Sequence, residues 1–177
     1  MRGGQADGRT AGLILLAVVL LTAGPAVRLS AQDDAGIPLG RTAPAVTIED
    51  LNGKPVDLAR FIGGRPALIE FWATWCPICR ALEPKVTAAH QRYGTKVQFI
   101  AVAVAVNESP ASVRRHLTQH PRPYPFLWDT NGNAVRAFQA PTTSFVVALD
   151  EQGKVVYTGV GEDQDLEAAL ARAVAVR

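Results

Sequence analysis

The stretch Phe71–Cys79, FWATWCPIC, places Cys76 and Cys79 directly after an apolar run and separates them by two residues. The run Ala67–Trp72 (ALIEFW) is short, apolar and bounded by turn residues, which predicts a buried strand. Apolar residues then recur at three- and four-residue spacing, which predicts a helix over residues 76–93. The sequence therefore predicts a Cys-x-x-Cys pair at the junction between a strand and a helix.

This position gives the two thiols different chemistry. The first thiol faces the unpaired backbone N–H groups and the positive dipole end of the helix, which stabilise the nucleophilic thiolate. The second thiol lies one turn further on and can attack a mixed disulfide formed by the first. We therefore expect Cys76, acidic and exposed, to attack, and Cys79 to resolve.

Other uses of the cysteine pair are less well supported. A disulfide across so short a loop adds only about 2 kcal/mol of stability. A structural zinc site needs two further ligands, and the chain has no other cysteine. His116 and His120 are four residues apart but are expected to be solvated, as is His90. An exported copper chaperone that uses both thiolates remains the alternative function.

Composition and charge indicate one globular domain behind a leader. The chain has 177 residues, 48% of them hydrophobic, and a net charge of +2 that comes from residues 1–31. No basic face for nucleic acid is implied. Residues 1–31 have a positive start and a short apolar run, which predict a signal peptide or a membrane anchor through residues 11–27. Residues 32–177 form the predicted domain, of which 32–43 is a polar linker.

The remaining pattern predicts an α/β fold with a central mixed sheet. Asn52-Gly53 lies between two strand-like segments, which is a strong hairpin signal. Further strands are predicted at 97–106, 126–128, 144–149 and 155–160, and further helices at 110–120, 134–138 and 163–174. Strands alternate with helices in the middle of the chain, and a hairpin and a helix close it.

These motifs together resemble the thioredoxin superfamily, and most closely its exported TlpA/ResA-like disulfide reductases. The resemblance covers roughly residues 37–175 and is carried by Gly40–Leu58, the block IEFWATWCPIC, Pro84 and Ala140–Asp150. It implies a thioredoxin fold with an N-terminal β-hairpin, helices flanking the sheet, and disulfide exchange with protein substrates in the periplasm or at the outer face of the cytoplasmic membrane. The implied role is a reductase for cytochrome c or metalloprotein thiols, recharged by a membrane-bound donor such as a DsbD/CcdA-like protein.

The resemblance also assigns roles to single residues. Pro141 matches the family's cis-proline beside the disulfide, and Ala140 would offer its backbone to an extended substrate. Trp75 and Pro77 are expected to complete the substrate-binding surface. Glu70 matches a buried carboxylate beneath the second cysteine, where it would exchange a proton with Cys79. Neither a cofactor nor a metal ion is expected.

Two departures from the family pattern concern redox direction and substrate. Proline follows the first cysteine instead of preceding the second, and the two intervening residues tune the redox potential. Leu82 occupies the place of a glutamate familiar in the ResA-like branch, and Glu83 comes one residue later, so that glutamate's role is not transferred. A peroxidase would need threonine or serine where Ala73 stands.

Overall fold

A seven-stranded mixed sheet organises residues 35–175, the part of the chain that the computed structural model describes. The strands are β1 (Thr47–Asp50), β2 (Pro55–Asp57), β3 (Ala67–Trp72), β4 (Gln98–Val104), β5 (Phe126–Asp129), β6 (Phe145–Leu149) and β7 (Val155–Val160). Their order is β2-β1-β5-β4-β3-β6-β7. The predicted leader, residues 1–31, and the anchor within it lie outside the described residues.

The sheet is parallel at its centre and antiparallel at both sides. β3 pairs with β4, and β4 with β5, in parallel, whereas β6 pairs antiparallel with β3 and with β7. β1 and β2 form the N-terminal hairpin predicted around Asn52-Gly53. The predicted α/β thioredoxin fold with a hairpin extension is therefore confirmed.

Five helices cover the two faces of the sheet in the described region. They are α1 (Leu58–Ile62), α2 (Pro77–Tyr93), α3 (Pro110–Gln119), α4 (Asn133–Ala137) and α5 (Leu166–Ala175). The crossovers β3–α2–β4 and β4–α3–β5 step across the sheet in the same direction, and right-handed connections then place α2 and α3 on one face. α5 joins them there, while α1 and α4 pack on the opposite face. Within residues 35–175 no helix is long and apolar enough to cross a membrane.

The structure corrects three expectations at the edges of elements. The described part of the predicted linker is attached to the domain, because Ile37 is buried and the Gly40 N–H donates to the Val155 carbonyl at 2.7 Å. The helix α1 was not expected at all. The last helix begins at Leu166, three residues later than predicted.

Candidate active site

The two cysteines form a disulfide at the N-terminus of α2. Cys76 is the N-cap residue, and its Sγ accepts the backbone N–H of Cys79 at 3.0 Å. The bridge joins residues whose Cα atoms are 5.3 Å apart. The first sulfur therefore has the helix-end environment expected from the sequence, which favours negative charge on it after reduction.

The expectation that the Cys76 sulfur is exposed is wrong for this disulfide form. Cys76 and Cys79 are only 2% and 1% exposed, respectively. Both belong to the apolar cluster between the sheet and α2, which also contains Trp72 and Leu82. Tertiary packing over the helix end covers the pair, and a local sequence pattern does not report such packing.

A glutamate that sequence reasoning missed fixes the turn before Cys76. Both oxygens of Glu108, in the β4–α3 loop, accept hydrogen bonds from Thr74: one from its backbone N–H at 2.8 Å and one from its hydroxyl. The indole N–H of Trp75 donates to the Val106 carbonyl at 2.8 Å. The loop that follows β4 therefore positions the turn that carries the cysteines. A glutamate directly before the Ser109-Pro110 helix start was the only available signal.

An apolar groove is lined in part by Trp75, the residue directly before Cys76. It has a volume of about 300 Å³ and is lined by Trp75, Val104, Val106, Val135, Ala140, Pro141, Thr142 and Thr143. Trp75, Ala140 and Pro141 thus come together as expected, whereas Pro77 is exposed but is not among the lining residues. The cis form of the Ala140–Pro141 bond stays a prediction. The groove could take an apolar side chain of an extended segment.

Glu70 is buried beneath the active-site helix. Its side chain shares a face of β3 with Leu68 and Trp72, the face on which Cys79 packs, and the residue is 4% exposed. Its Oε1 has no hydrogen-bond partner among the described residues. Burial raises the pKa of Glu70 to about 8, while the charge of Arg122 lowers it and that of Glu83 raises it. At neutral pH this carboxyl group is therefore mostly protonated, and it can take up or release a proton near pH 8.

Arg122 is the second residue that the sequence did not single out. It lies in the connection between α3 and β5 and forms an ion pair with Glu83 of α2, with only 7% of its side chain exposed. Its position between Pro121 and Pro123 is the available sequence signal, because prolines restrict the backbone on both sides.

His116 and His90 are half-buried and so less solvated than expected, whereas His120 is exposed as expected. The His116 ring lies 5.3 Å from the Trp72 ring and 4.7 Å from that of His120. His90 packs against Phe99 and Tyr124. In residues 35–175 no group of three or more His, Cys, Asp or Glu side chains could hold a metal ion.

The comparisons with known proteins identify the family. The Redoxin family pattern matches residues 38–174. The chain belongs to the Redoxin family. The thioredoxin-like protein YneN of Bacillus subtilis is 27% identical over 164 residues, which cover 90% of this chain and 95% of YneN.

Two further relatives carry an activity in their names. The thiol-disulfide oxidoreductase ResA of Bacillus subtilis is 28% identical over 122 residues, 69% of this chain and 67% of ResA. A secreted disulfide oxidoreductase of Mycobacterium tuberculosis shares the fold with a TM-score of 0.61 at 21% identity, over 75% of this chain and 96% of that one. The chain is thus a thiol–disulfide oxidoreductase, with Cys76 and Cys79 as its redox pair.

Proposed function

We propose that this chain reduces disulfides of protein substrates outside the cytoplasm, in the maturation of cytochrome c or metalloprotein thiols. The observation that carries the proposal is Cys76 at the N-terminus of α2, whose sulfur accepts the Cys79 N–H and whose preceding residue, Trp75, lines the apolar groove. The resemblance to ResA-like reductases supports the proposed direction of electron flow and the proposed location. A predicted leader in residues 1–31 supports export.

The reaction begins with the reduced pair. The Cys76 thiolate attacks a substrate disulfide, forms a mixed disulfide and releases one substrate thiolate. Cys79 then attacks the Cys76 sulfur, which releases the second substrate thiolate and leaves the Cys76–Cys79 disulfide. A membrane-bound dithiol donor of the DsbD/CcdA kind returns two electrons to the pair, which regenerates the Cys76 thiolate, and Cys79 takes up one proton.

Glu70 serves the second step. It lies on the face of β3 against which Cys79 packs, and its Oε1 has no partner among the described residues. Its carboxylate accepts the Cys79 proton as that sulfur attacks, and gives the proton up once the substrate thiolate has left.

The groove holds the substrate segment during both steps. Trp75 is 45% exposed at one wall, and Ala140 and Pro141 form another part of the lining. Backbone groups of Ala140 pair with the extended segment while an apolar side chain fills the groove. The site therefore favours flexible protein segments with an apolar residue next to the reacting cysteine.

A trapping experiment with the full chain in its host tests the roles of the cysteines. In Cys79→Ala the mixed disulfide cannot be resolved, so we expect protein partners to accumulate on Cys76 and to be released by reductant. Cys76→Ala is the matched control and should trap none. Equal trapping by both variants would contradict the assignment of roles.

A redox titration tests the direction. A reductase needs a potential well below that of a strong oxidant, so a value near about −120 mV would overturn the proposed direction. Stable retention of Cu(I) without reduction of insulin disulfides would instead support the copper-chaperone alternative.

A further inference from the structure

Four ionisable side chains interact electrostatically beneath the active-site helix, and three of them come from outside the predicted site. Glu70 comes from β3 and Glu83 from α2, while Arg122 and Tyr124 come from the connection before β5. Glu70 and Tyr124 each experience the charges of Arg122 and Glu83. The cluster therefore lies between the sheet and the helix that carries Cys79.

The cluster joins the helix to the rest of the domain. Glu83 follows Cys79 by four residues, so the two side chains lie on the same side of α2. Prolines on both sides restrict the backbone at Arg122, and its guanidinium forms an ion pair with Glu83. The ion pair thereby brings one positive and one negative charge into reach of Glu70.

The two charges act on Glu70 in opposite senses. Arg122 favours the carboxylate form, and Glu83 disfavours it. Because the two charges are paired, the field of Arg122 is largely offset, and Glu70 remains dominated by burial. Tyr124 is buried and neutral, and His116 on α3 also experiences both charges of the pair.

We propose that Arg122 and Glu83 are positioning residues that set the pH range in which Glu70 accepts the Cys79 proton. The inference rests on the proposed role of Glu70 in the second step. In that step Cys79 gives its proton to the Glu70 carboxylate, and a Cys76–Cys79 bond forms as the bond between Cys76 and the substrate sulfur breaks. The substrate sulfur leaves as a thiolate, and no further oxidant or reductant is involved.

Opposite variants of the pair should shift the reaction in opposite directions. In Glu83→Gln the positive charge of Arg122 is no longer offset, so the midpoint of the second step moves down by about one pH unit. The rate at pH 7 then rises about fivefold. In Arg122→Gln the midpoint moves up by a similar amount and the rate at pH 7 falls about tenfold.

The experiment uses the reduced full-length protein and 5,5′-dithiobis(2-nitrobenzoic acid) as the probe disulfide. Attack by Cys76 releases one coloured thionitrobenzoate, and resolution by Cys79 releases a second one, so stopped-flow absorbance separates the steps. The rate of the second release is recorded across pH 5–10 for each variant. Carbon-detected NMR of the Glu70 carboxyl group measures its titration directly.

Three further variants control for damage to the fold. Arg122→Lys keeps the charge and should keep the wild-type midpoint. The double variant Glu83→Gln/Arg122→Gln restores neutrality and should return the midpoint to near the wild-type value. In a Glu70→Gln background, neither single variant should shift the pH profile of the second release.

The outcomes separate this inference from the proposed function. The inference would be overturned if the midpoint of the second release moved in the same direction in Glu83→Gln and Arg122→Gln, or moved in neither. It would also be overturned if the shifts persisted in the Glu70→Gln background. The proposed function fails separately, if the Cys79→Ala protein traps no protein partner in the host.

Discussion

Glu70 and Asp129 are two carboxylates buried to a similar degree in inner strands of the sheet, yet their surroundings differ completely. They are 4% and 1% exposed. Both oxygens of Asp129 accept backbone N–H groups at the start of α4, from Ala134 at 3.1 Å and from Val135 at 2.9 Å. Oε1 of Glu70 has no hydrogen-bond partner within the described part of the chain.

The difference shows that burial alone does not mark a proton-transfer group. A buried carboxylate with satisfied oxygens is a structural element, since its hydrogen bonds offset the loss of water. A buried carboxyl group with an unsatisfied oxygen costs stability, and it can hold or release a proton near neutral pH. Glu70 therefore fits a functional role, and Asp129 fits a role in holding α4.

The largest predicted effect is on the pH dependence of stability. Burial raises the pKa of Glu70 from the model-compound value of 4.5 to about 8. The folded protein thus keeps a proton that the unfolded chain loses. The stability contributed by this group is fully present below pH 4.5 and falls as pH rises to about 8. The loss is roughly 5 kcal/mol at most, at 1.36 kcal/mol per pH unit.

Urea unfolding of the disulfide form between pH 4 and 9 measures this effect. The free energy of unfolding of Glu70→Gln should rise relative to that of the wild type throughout the window and level off above about pH 8. Glu151→Gln, which removes an exposed glutamate, is the matched control for the loss of a charge. If the difference in the free energy of unfolding between the wild type and Glu70→Gln did not change with pH, the raised pKa of Glu70 would be contradicted.

Asp129→Ala should give the next largest effect, on stability alone. The substitution leaves two N–H groups at the start of α4, one buried and one partly buried, without their side-chain acceptor, which costs about 2–4 kcal/mol. Asp129→Asn keeps one acceptor oxygen and should cost less. Thermal or urea unfolding at pH 7 measures both variants. If Asp129→Ala were as stable as the wild type, the assignment of Asp129 to a structural role would be wrong.

The sequence predicted the parts of the molecule that depend on local pattern. The strand–helix junction at Cys76 and the Asn52-Gly53 hairpin are both present, because spacing and turn chemistry act over a few residues. Helix α1 was missed because its five residues are too few to show a period. Asp57 and Gly63 cap its two ends, but caps without an apolar period do not indicate a helix.

The missed parts of the site depend on contacts between distant segments. The Arg122–Glu83 pair and the Glu108–Thr74 contacts each join residues more than thirty positions apart in the sequence. No single-sequence pattern identifies such partners. The burial of Cys76 has the same origin, because it results from packing of separate elements around the end of α2.

The rate of the second thionitrobenzoate release should also distinguish Glu70 from Asp129. Glu70→Gln cannot take the Cys79 proton, so at pH 8 the second thionitrobenzoate release should slow about ten- to a hundredfold, with the first release unchanged. Asp129→Asn should leave both releases at the wild-type rate in the folded fraction. A Glu70→Gln protein with a normal second release would remove Glu70 from the mechanism.

Glu108 is a third carboxylate, and its oxygens accept hydrogen bonds from the turn before Cys76. One oxygen accepts from the Thr74 N–H and the other from the Thr74 hydroxyl, so Glu108 positions the turn that precedes Cys76. In Glu108→Gln one of these acceptors becomes an amide donor, which weakens the contact by about 1 kcal/mol.

We expect this change to affect the Cys76 step, because Thr74 and Trp75 precede that residue directly. The first thionitrobenzoate release should slow about fivefold, and the midpoint of the second release should stay where it is. Ser112→Ala removes the weaker contact of Glu108 at 3.3 Å together with the hydrogen bonds of Ser112 to Ser109, and keeps both Thr74 contacts. It is the control for a disturbed start of α3, with a smaller effect expected. If the midpoint of the second release moved in Glu108→Gln, this carboxylate would also exchange protons with the cysteine pair. A carboxylate with hydrogen-bonded oxygens could then not be assigned to positioning alone at this site.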